Sequence, residues 1–142
     1  MFSMTQPLRF GDCDPSGIAY YPSYLRMLDG AVEDFFASLG ANRREMIDVR
    51  KIGTPTVTMD LVFRKPGMQG DQLTFEIRVT ALGRASLDLD HTVSAHGDIL
   101  WTARQRLVAT SLDTNASCAW PDDIRAALSH HLETPHAHNP AT

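Results

Sequence analysis

The spacing of apolar and polar residues changes character along the 142-residue chain. In Gln6–Cys13, Leu8 and Phe10 fall on one face and Arg9 on the other, which predicts a short strand ending at Gly11. Asp12–Gly17 reads as a turn, because Asp-Pro-Ser-Gly combines a side-chain acceptor, a fixed φ and a permissive glycine. A helix follows, with Pro22 in its first turn, where a missing N–H costs nothing. Tyr21, Tyr24, Leu25, Leu28, Val32, Phe35, Phe36 and Leu39 recur at three- and four-residue spacing, a stripe broad enough to be largely buried. Gly40 stops the helix. Arg43–Arg50, with Met46, Ile47 and Val49, suggests a second, shorter one.

From Thr54 the period becomes two. Val57, Met59, Leu61 and Phe63 alternate with Thr58, Asp60, Val62 and Arg64, and Leu73, Phe75, Ile77 and Val79 with Thr74, Glu76, Arg78 and Thr80. Leu87, Leu89, Val93 and Ala95 alternate with Ser86, Asp88, Thr92 and Ser94, and a last strand covers about Ile99–Leu112. Turn sequences separate them: Lys65–Asp71, Gly83-Arg84 and His96-Gly97-Asp98. Consecutive strands joined this way are expected to run antiparallel. The pattern therefore predicts an α+β fold: a strand, a long buried helix and a four-strand meander, in all a sheet of about five strands wrapped around one central helix. The sheet's other face is polar enough to meet water or a second subunit. Pro121–Leu132 suggests a terminal helix, so residues 1–134 form one domain and 135–142 a flexible tail.

Composition narrows the class. Thirteen basic against seventeen acidic residues give a net charge of −4, with 43% apolar and 21% charged residues. That balance argues against disorder and against a large nucleic-acid footprint. No apolar run approaches the roughly 18 residues of a membrane span, and MFSMTQPLRF lacks the features of a signal peptide. A cytoplasmic protein is expected. Cys13 and Cys118 make neither a disulfide framework nor a zinc knuckle. Cys13 reads as a small hydrophobe, with a catalytic thiol as the sharper alternative. His130, His131, His136 and His138 suggest a metal only by their number, and no metal site is expected.

The unusual stretch is Phe10-Gly11-Asp12-Cys13-Asp14-Pro15-Ser16-Gly17-Ile18-Ala19-Tyr20-Tyr21-Pro22-Ser23-Tyr24. It places two carboxylates at a strand-to-helix corner and aims a helix N-terminus at the same corner. A helix start offers unpaired N–H groups and partial positive charge, able to polarise a carbonyl oxygen. A nearby carboxylate could attack the carbonyl carbon or activate water. The plainer alternative is that Asp14 only caps the turn and Asp12 is solvated.

This run, continued through Leu25-Arg26-Met27-Leu28-Asp29 and joined by Ile52-Gly53-Thr54-Pro55, resembles the signature of the 4-hydroxybenzoyl-CoA thioesterase family, of the hot-dog fold. The resemblance covers most of Phe10 to about Leu112. It implies an acyl-CoA thioesterase, with paired subunits building the active sites between them. Asp14 matches the catalytic carboxylate, as nucleophile or general base. Tyr21 matches the helix-start position whose backbone N–H polarises the thioester carbonyl. Gly17 would let the backbone turn tightly, and Tyr20 would wall the acyl pocket. Asp29 falls where the hydroxybenzoyl enzymes hold a contact to the ring hydroxyl, which calls for a carboxylate buried on the stripe's flank, and Thr54 matches a strand-start residue of that pocket. Arg84 and Ser86 match positions that meet the nucleotide phosphates of coenzyme A. The family's second basic residue there is Gly83 in this chain, for which Arg64 or Lys65 would substitute.

The expected activity is hydrolysis of an aromatic, 4-hydroxybenzoyl-like, or short-chain acyl-CoA to free acid and coenzyme A. No cofactor is implied, since coenzyme A is part of the substrate. A homodimer or homotetramer is expected, with no nucleic-acid or membrane partner. A non-catalytic acyl-CoA-binding hot-dog protein is the alternative. A hot-dog hydratase would need Asp and His in one short segment, and no histidine precedes His91.

Overall fold

A computed structural model describes residues 1–133. The proposed boundary at 134/135, the tail, and His136 and His138 lie outside the described residues. Strand β1 (Phe2–Pro7) leads through a short 3-10 turn (Phe10–Asp12) to helix α1 (Tyr21–Ser38). Helix α2 (Arg43–Asp48) is capped by the Asn42 side chain, which accepts from the Glu45 N–H at 2.9 Å. Strands β2 (Ile52–Gly53), β3 (Thr56–Phe63), β4 (Gln72–Leu82), β5 (Ser86–Ala95), β6 (Asp98–Val108) and β7 (Thr110–Ser111) follow, then helix α3 (Asp122–His130).

The main sheet is antiparallel throughout, in the order β1-β4-β5-β6-β3, and β2 pairs separately with β7. Two expectations change. The first strand lies at Phe2–Pro7 rather than Gln6–Cys13; Pro7 ends the ladder, and Phe10 stands 79% exposed on the following turn. The four later strands are not a simple meander, because β3 sits at the far edge beside β6. Its link to β4 is too long for a tight hairpin and crosses under the helix start instead. There the Gly67 carbonyl accepts from the Ala19 N–H (2.9 Å), the Gly17 carbonyl from the Gln69 N–H (3.0 Å), and the Tyr24 hydroxyl from the Gly67 N–H (3.0 Å).

Helix α1 buries Tyr24, Met27, Leu28, Ala31, Val32, Phe35 and Phe36 against Leu73, Phe75, Ile77, Leu89, Val93 and Trp101 of the sheet. That face is narrower than the expected stripe. Tyr21 is 63% exposed and Leu25 is also exposed, because nothing among the described residues covers them past the edge strand β3. Trp101 anchors the middle, its ring centroid 5.1 Å from Tyr24 and 6.2 Å from Phe75. Helix α3 closes the far end through Ile124 and Leu128, beside Trp120 stacked on Phe36. Strand β3 is exposed along most of its length, with Val57 and Phe63 open to solvent. No helix among the described residues is long and apolar enough to cross a membrane.

Candidate active site

The Asp14 loop is folded by its own side chain. Oδ1 of Asp14 accepts from the Ser16 N–H (2.9 Å), the Ser16 hydroxyl (2.5 Å) and the Ile18 N–H (3.4 Å). The Gly17 N–H donates to the Asp14 carbonyl at 3.0 Å, and Gly17 takes φ +82°, a conformation that favours glycine. All three side-chain bonds land on Oδ1, and no donor among the described residues reaches Oδ2. The Ser16 hydroxyl, then the Ser16 amide, with the Ile18 amide adding to them, outweigh desolvation and hold the carboxyl below the usual aspartate range. Asp14 is therefore ionised, with one oxygen spent on the turn and one available.

Asp12 is not solvated. Its buried carboxylate accepts from the Arg9 N–H (2.9 Å) and Arg26 (3.0 Å), and its carbonyl accepts from the Tyr20 N–H (2.9 Å). This residue fastens the loop to the first turn of α1, while a bridge between Cys13 and Ala19 closes the corner. The helix start has no side-chain cap: Tyr20 at the N-cap makes none, Pro22 has no N–H, and the Ser23 N–H bonds the Tyr20 carbonyl at 2.8 Å. The Tyr21 amide is left without an acceptor in the helix. Beside it lies a cleft of about 280 Å³ lined by Ile18, Ala19, Tyr21, Tyr24, Phe63, Arg64, Lys65 and Pro66. The half-exposed Tyr20 ring stands 6.1 Å from Tyr21, and the Tyr21 ring meets Phe63 edge-on at 6.4 Å. Cys13 belongs to this corner but is a poor nucleophile: desolvation, then Asp12, Asp14 and Asp71, push its thiol pKa up.

The other candidates stand elsewhere. Asp29 is eight residues beyond Tyr21, about 12 Å along the helix. It is neither buried nor alone: its side chain is 63% exposed and makes a bidentate pair with Arg43 at 2.8 and 3.0 Å. The helix surface at that point faces α2 and solvent rather than the sheet, which overturns the expected buried carboxylate. Arg43, Ile52 and Thr54 share a small cavity of about 60 Å³ with Phe36, Ala41, Met46 and Ile47. Arg84 and Ser86 lie farther still. The Leu8 N–H donates to the Asp71 carbonyl and the Gly70 N–H to that of Leu8, so β4 begins beside the Asp14 loop. It then runs eleven residues away from it, about 33 Å at ~3.3 Å per residue. One chain thus holds Asp14 and Arg84 at opposite ends of its sheet. A larger depression of about 400 Å³ lies over Glu76, Arg78, Asp90 and Thr92 on the outer sheet face and reaches Gly97, Ile99 and Arg64, the last of which also lines the cleft beside Tyr21.

Residues 8–128 match the sequence profile of the thioesterase-like superfamily. The chain belongs to that superfamily. It is 35% identical over 94 residues to 4-hydroxybenzoyl-CoA thioesterase of Pseudomonas sp. strain CBS-3, covering 65% of this chain and 67% of that one. It is 30% identical over 125 residues to 1,4-dihydroxy-2-naphthoyl-CoA hydrolase of Synechococcus elongatus, covering 87% and 92%. Among solved structures, a gentisyl-coenzyme A thioesterase superposes with a TM-score of 0.82 at 28% identity, over 89% of this chain and 99% of that one. An aspartate-to-asparagine variant of 4-hydroxybenzoyl-CoA thioesterase, complexed with 4-hydroxybenzoyl-CoA, superposes with a TM-score of 0.82 at 29% identity, covering 89% and 97%. These thioesterase-like relatives share the hot-dog fold, and the chain is a thioester hydrolase acting on acyl-CoA.

Two residues near the thioesterase-like framework escaped the pattern reading. His91 holds the inward register between Leu89 and Val93 and is 1% exposed, bonded through Nε2 to Gln105 Oε1 at 2.8 Å. Its place in the period of two was the available signal. Arg125, on α3, bonds the Gly83 and Arg84 carbonyls; nothing in the local sequence marks that long-range contact. Among the described residues no cluster of three or more metal-ligating side chains occurs.

Proposed function

We propose that the chain hydrolyses hydroxylated aromatic acyl-CoA thioesters, with Asp14 as nucleophile or general base. The observation that carries the chemistry is the pairing of an uncapped helix start at Tyr21 with an ionised Asp14 fastened to it through Asp12. The thioester oxygen would take the Tyr21 N–H and the partial positive charge of α1. Oδ2 of Asp14 would then attack the carbonyl carbon, or draw a proton from an attacking water, and coenzyme A would leave as thiolate. The aromatic class is supported by the relatives' acyl groups, hydroxybenzoyl, dihydroxynaphthoyl and gentisyl. Asp29 no longer supports it as a lone buried carboxylate, since a ring hydroxyl would have to share it with Arg43.

The working site joins two copies. Among the described residues nothing pairs with the outer edge of strand β3, which carries apolar side chains and which native proteins seldom leave open. Its Phe63 end lies beside Tyr21. Its Thr56 end lies near the Arg84 turn, since the Val108 N–H bonds the Pro55 carbonyl and Val108 pairs with Ser86. Antiparallel pairing of two β3 edges would therefore bring the Arg84 and Ser86 turn of one copy to the Asp14 corner of the other. Arg84 would meet the nucleotide phosphates and Asp14 the acyl end.

A panel of aryl, short-chain and long-chain acyl-CoA esters tests the reading, with released coenzyme A measured by a thiol reagent. Hydroxylated aryl esters should be cleaved fastest. Equal turnover of benzoyl and long-chain esters would refute the substrate class.

A further inference from the structure

The tip of the β4–β5 hairpin is held from outside. The Gly83 N–H donates to the Ser86 carbonyl at 2.9 Å, closing the turn. Arg125 donates through Nη2 to the Gly83 carbonyl and, at 3.2 Å, to the Arg84 carbonyl. Trp120, 2% exposed, adds its N–H to the Arg84 carbonyl and its Nε1–H to the Ser86 carbonyl, both at 3.1 Å. Helix α3 is itself fixed: Arg50 of the α2 end pairs bidentately with Asp123 at 2.8 and 2.6 Å. Arg125 therefore reaches the turn from a braced helix rather than from a loose arm.

Gly83 leaves little room for a side chain of its own. A Cβ built there falls 2.3 Å from the Ser86 hydroxyl where it stands. A basic residue at 83 and this Ser86 placement exclude each other. The cation that this turn lacks in sequence is supplied in space by Arg125. Because both bonds use Nη2, the Nε–H and the Nη1 donors of the guanidinium are left for an anion.

We propose that Arg125 is the second cation of the nucleotide end, positioning Arg84 through the turn carbonyls and adding its own charge beside Gly83 for a coenzyme A phosphate. This rests on the reading that Arg84 meets those phosphates. A residue that only stabilised the overall fold would not distinguish ligands with and without a nucleotide. A phosphate-facing arginine would.

The test uses the full chain and the variants Arg125→Met, Arg125→Lys and Arg84→Ala. Each is titrated calorimetrically with free coenzyme A and assayed with one acyl group carried either on coenzyme A or on pantetheine. Arg125→Met should weaken coenzyme A by about tenfold or more, as loss of a charge-assisted contact does, and Arg125→Lys should recover part of that. The KM for the pantetheine thioester should move less than about threefold, as for loss of a contact that the shorter substrate never made. If Arg84→Ala weakens coenzyme A selectively and Arg125→Met does not, the role of Arg125 is overturned while the nucleotide site stands. Equal losses with both thioesters in Arg125→Met and Arg125→Lys would make Arg125 a fold residue only, and overturn it as well. If neither arginine affects coenzyme A, or the unaltered protein does not bind it, both readings fall.

Discussion

Acidification should destabilise this protein well before its carboxylates titrate, and His91 is the reason. The ring is 1% exposed, its Nε2 lies 2.8 Å from Gln105 Oε1, and its Nδ1 has no partner among the described residues. Burial, only partly offset by the bond to Gln105, lowers its pKa to about 4. An unfolded histidine titrates near ~6.5, so between about pH 6.5 and 4 the unfolded chain binds a proton that the folded chain refuses. Stability therefore falls as pH drops through this window and the loss levels off below it. The shift of roughly 2.5 units corresponds to about 3 kcal/mol in full, of which about 2 kcal/mol is lost by pH 5. Asp14, Asp71 and Asp123 are held low by their hydrogen bonds, and lose their stabilisation only at more acid pH. Urea unfolding at pH 7.5, 6.5, 5.5 and 5.0, at one protein concentration, reads His91 together with His131, which desolvation also holds low, and the His91 variant separates the two. His91→Leu should be less stable at pH 7.5, because Gln105 Oε1 loses its partner, yet show a much flatter pH dependence. Parallel curves for the two proteins over this range would refute the assignment.

Asp14→Asn keeps the turn acceptor and removes the charge, so kcat should fall by at least about a hundredfold with thermal stability nearly unchanged; a near-silent variant in the ester assay would leave Asp14 as a turn residue. Asp12→Asn should do the reverse, costing about 1–3 kcal/mol of stability in urea titrations through its bonds to Arg26 and the Arg9 amide. Gly67→Ala places a Cβ 2.5 Å from the Tyr24 hydroxyl and 3.1 Å from Leu8, at about 1–3 kcal/mol. Adding Tyr24→Phe should recover part of that loss in a double-mutant melt, and strict additivity would refute the clash. Co-expressed Asp14→Asn and Arg84→Ala chains should form mixed dimers with one intact site each, restoring activity toward about a quarter of the unaltered level under random pairing. No recovery in purified mixtures would place each site within one chain.

The elements were legible because burial leaves a periodic trace. The alternation through β4 and β5 and the three-to-four spacing of α1 both record one buried face. Strand order was not, since β3 carries the same alternation as its neighbours. What sends it to the far edge is the Lys65–Asp71 segment, whose amides and carbonyls bond the Gly17–Ala19 loop and Tyr24. The limits of the helix face were also hidden. Tyr21 and Leu25 satisfy the apolar spacing, but nothing among the described residues covers them.

The same absence explains what was legible of the site. The Asp14 corner could be read locally, because its geometry is made by residues within a dozen positions: an Asx-type turn, a glycine at positive φ and an uncapped helix start. The acyl-pocket and nucleotide candidates could not, because α1 separates Asp29 from that corner and β4 carries Arg84 about 30 Å away. Motif spacing records which side chains a reaction needs, but it carries no information on which copy supplies them. The exposed β3 edge bears on that choice physically: its two ends lie beside the Tyr21 corner and the Arg84 turn, and antiparallel pairing of two such edges would bring unlike ends together. Arg43 and Arg125 follow the same logic within one chain, since each reaches a candidate position from a helix remote in sequence. On the proposed function, specificity would thus be set by contacts made across the molecule, around an Asp14 corner that is built from consecutive residues.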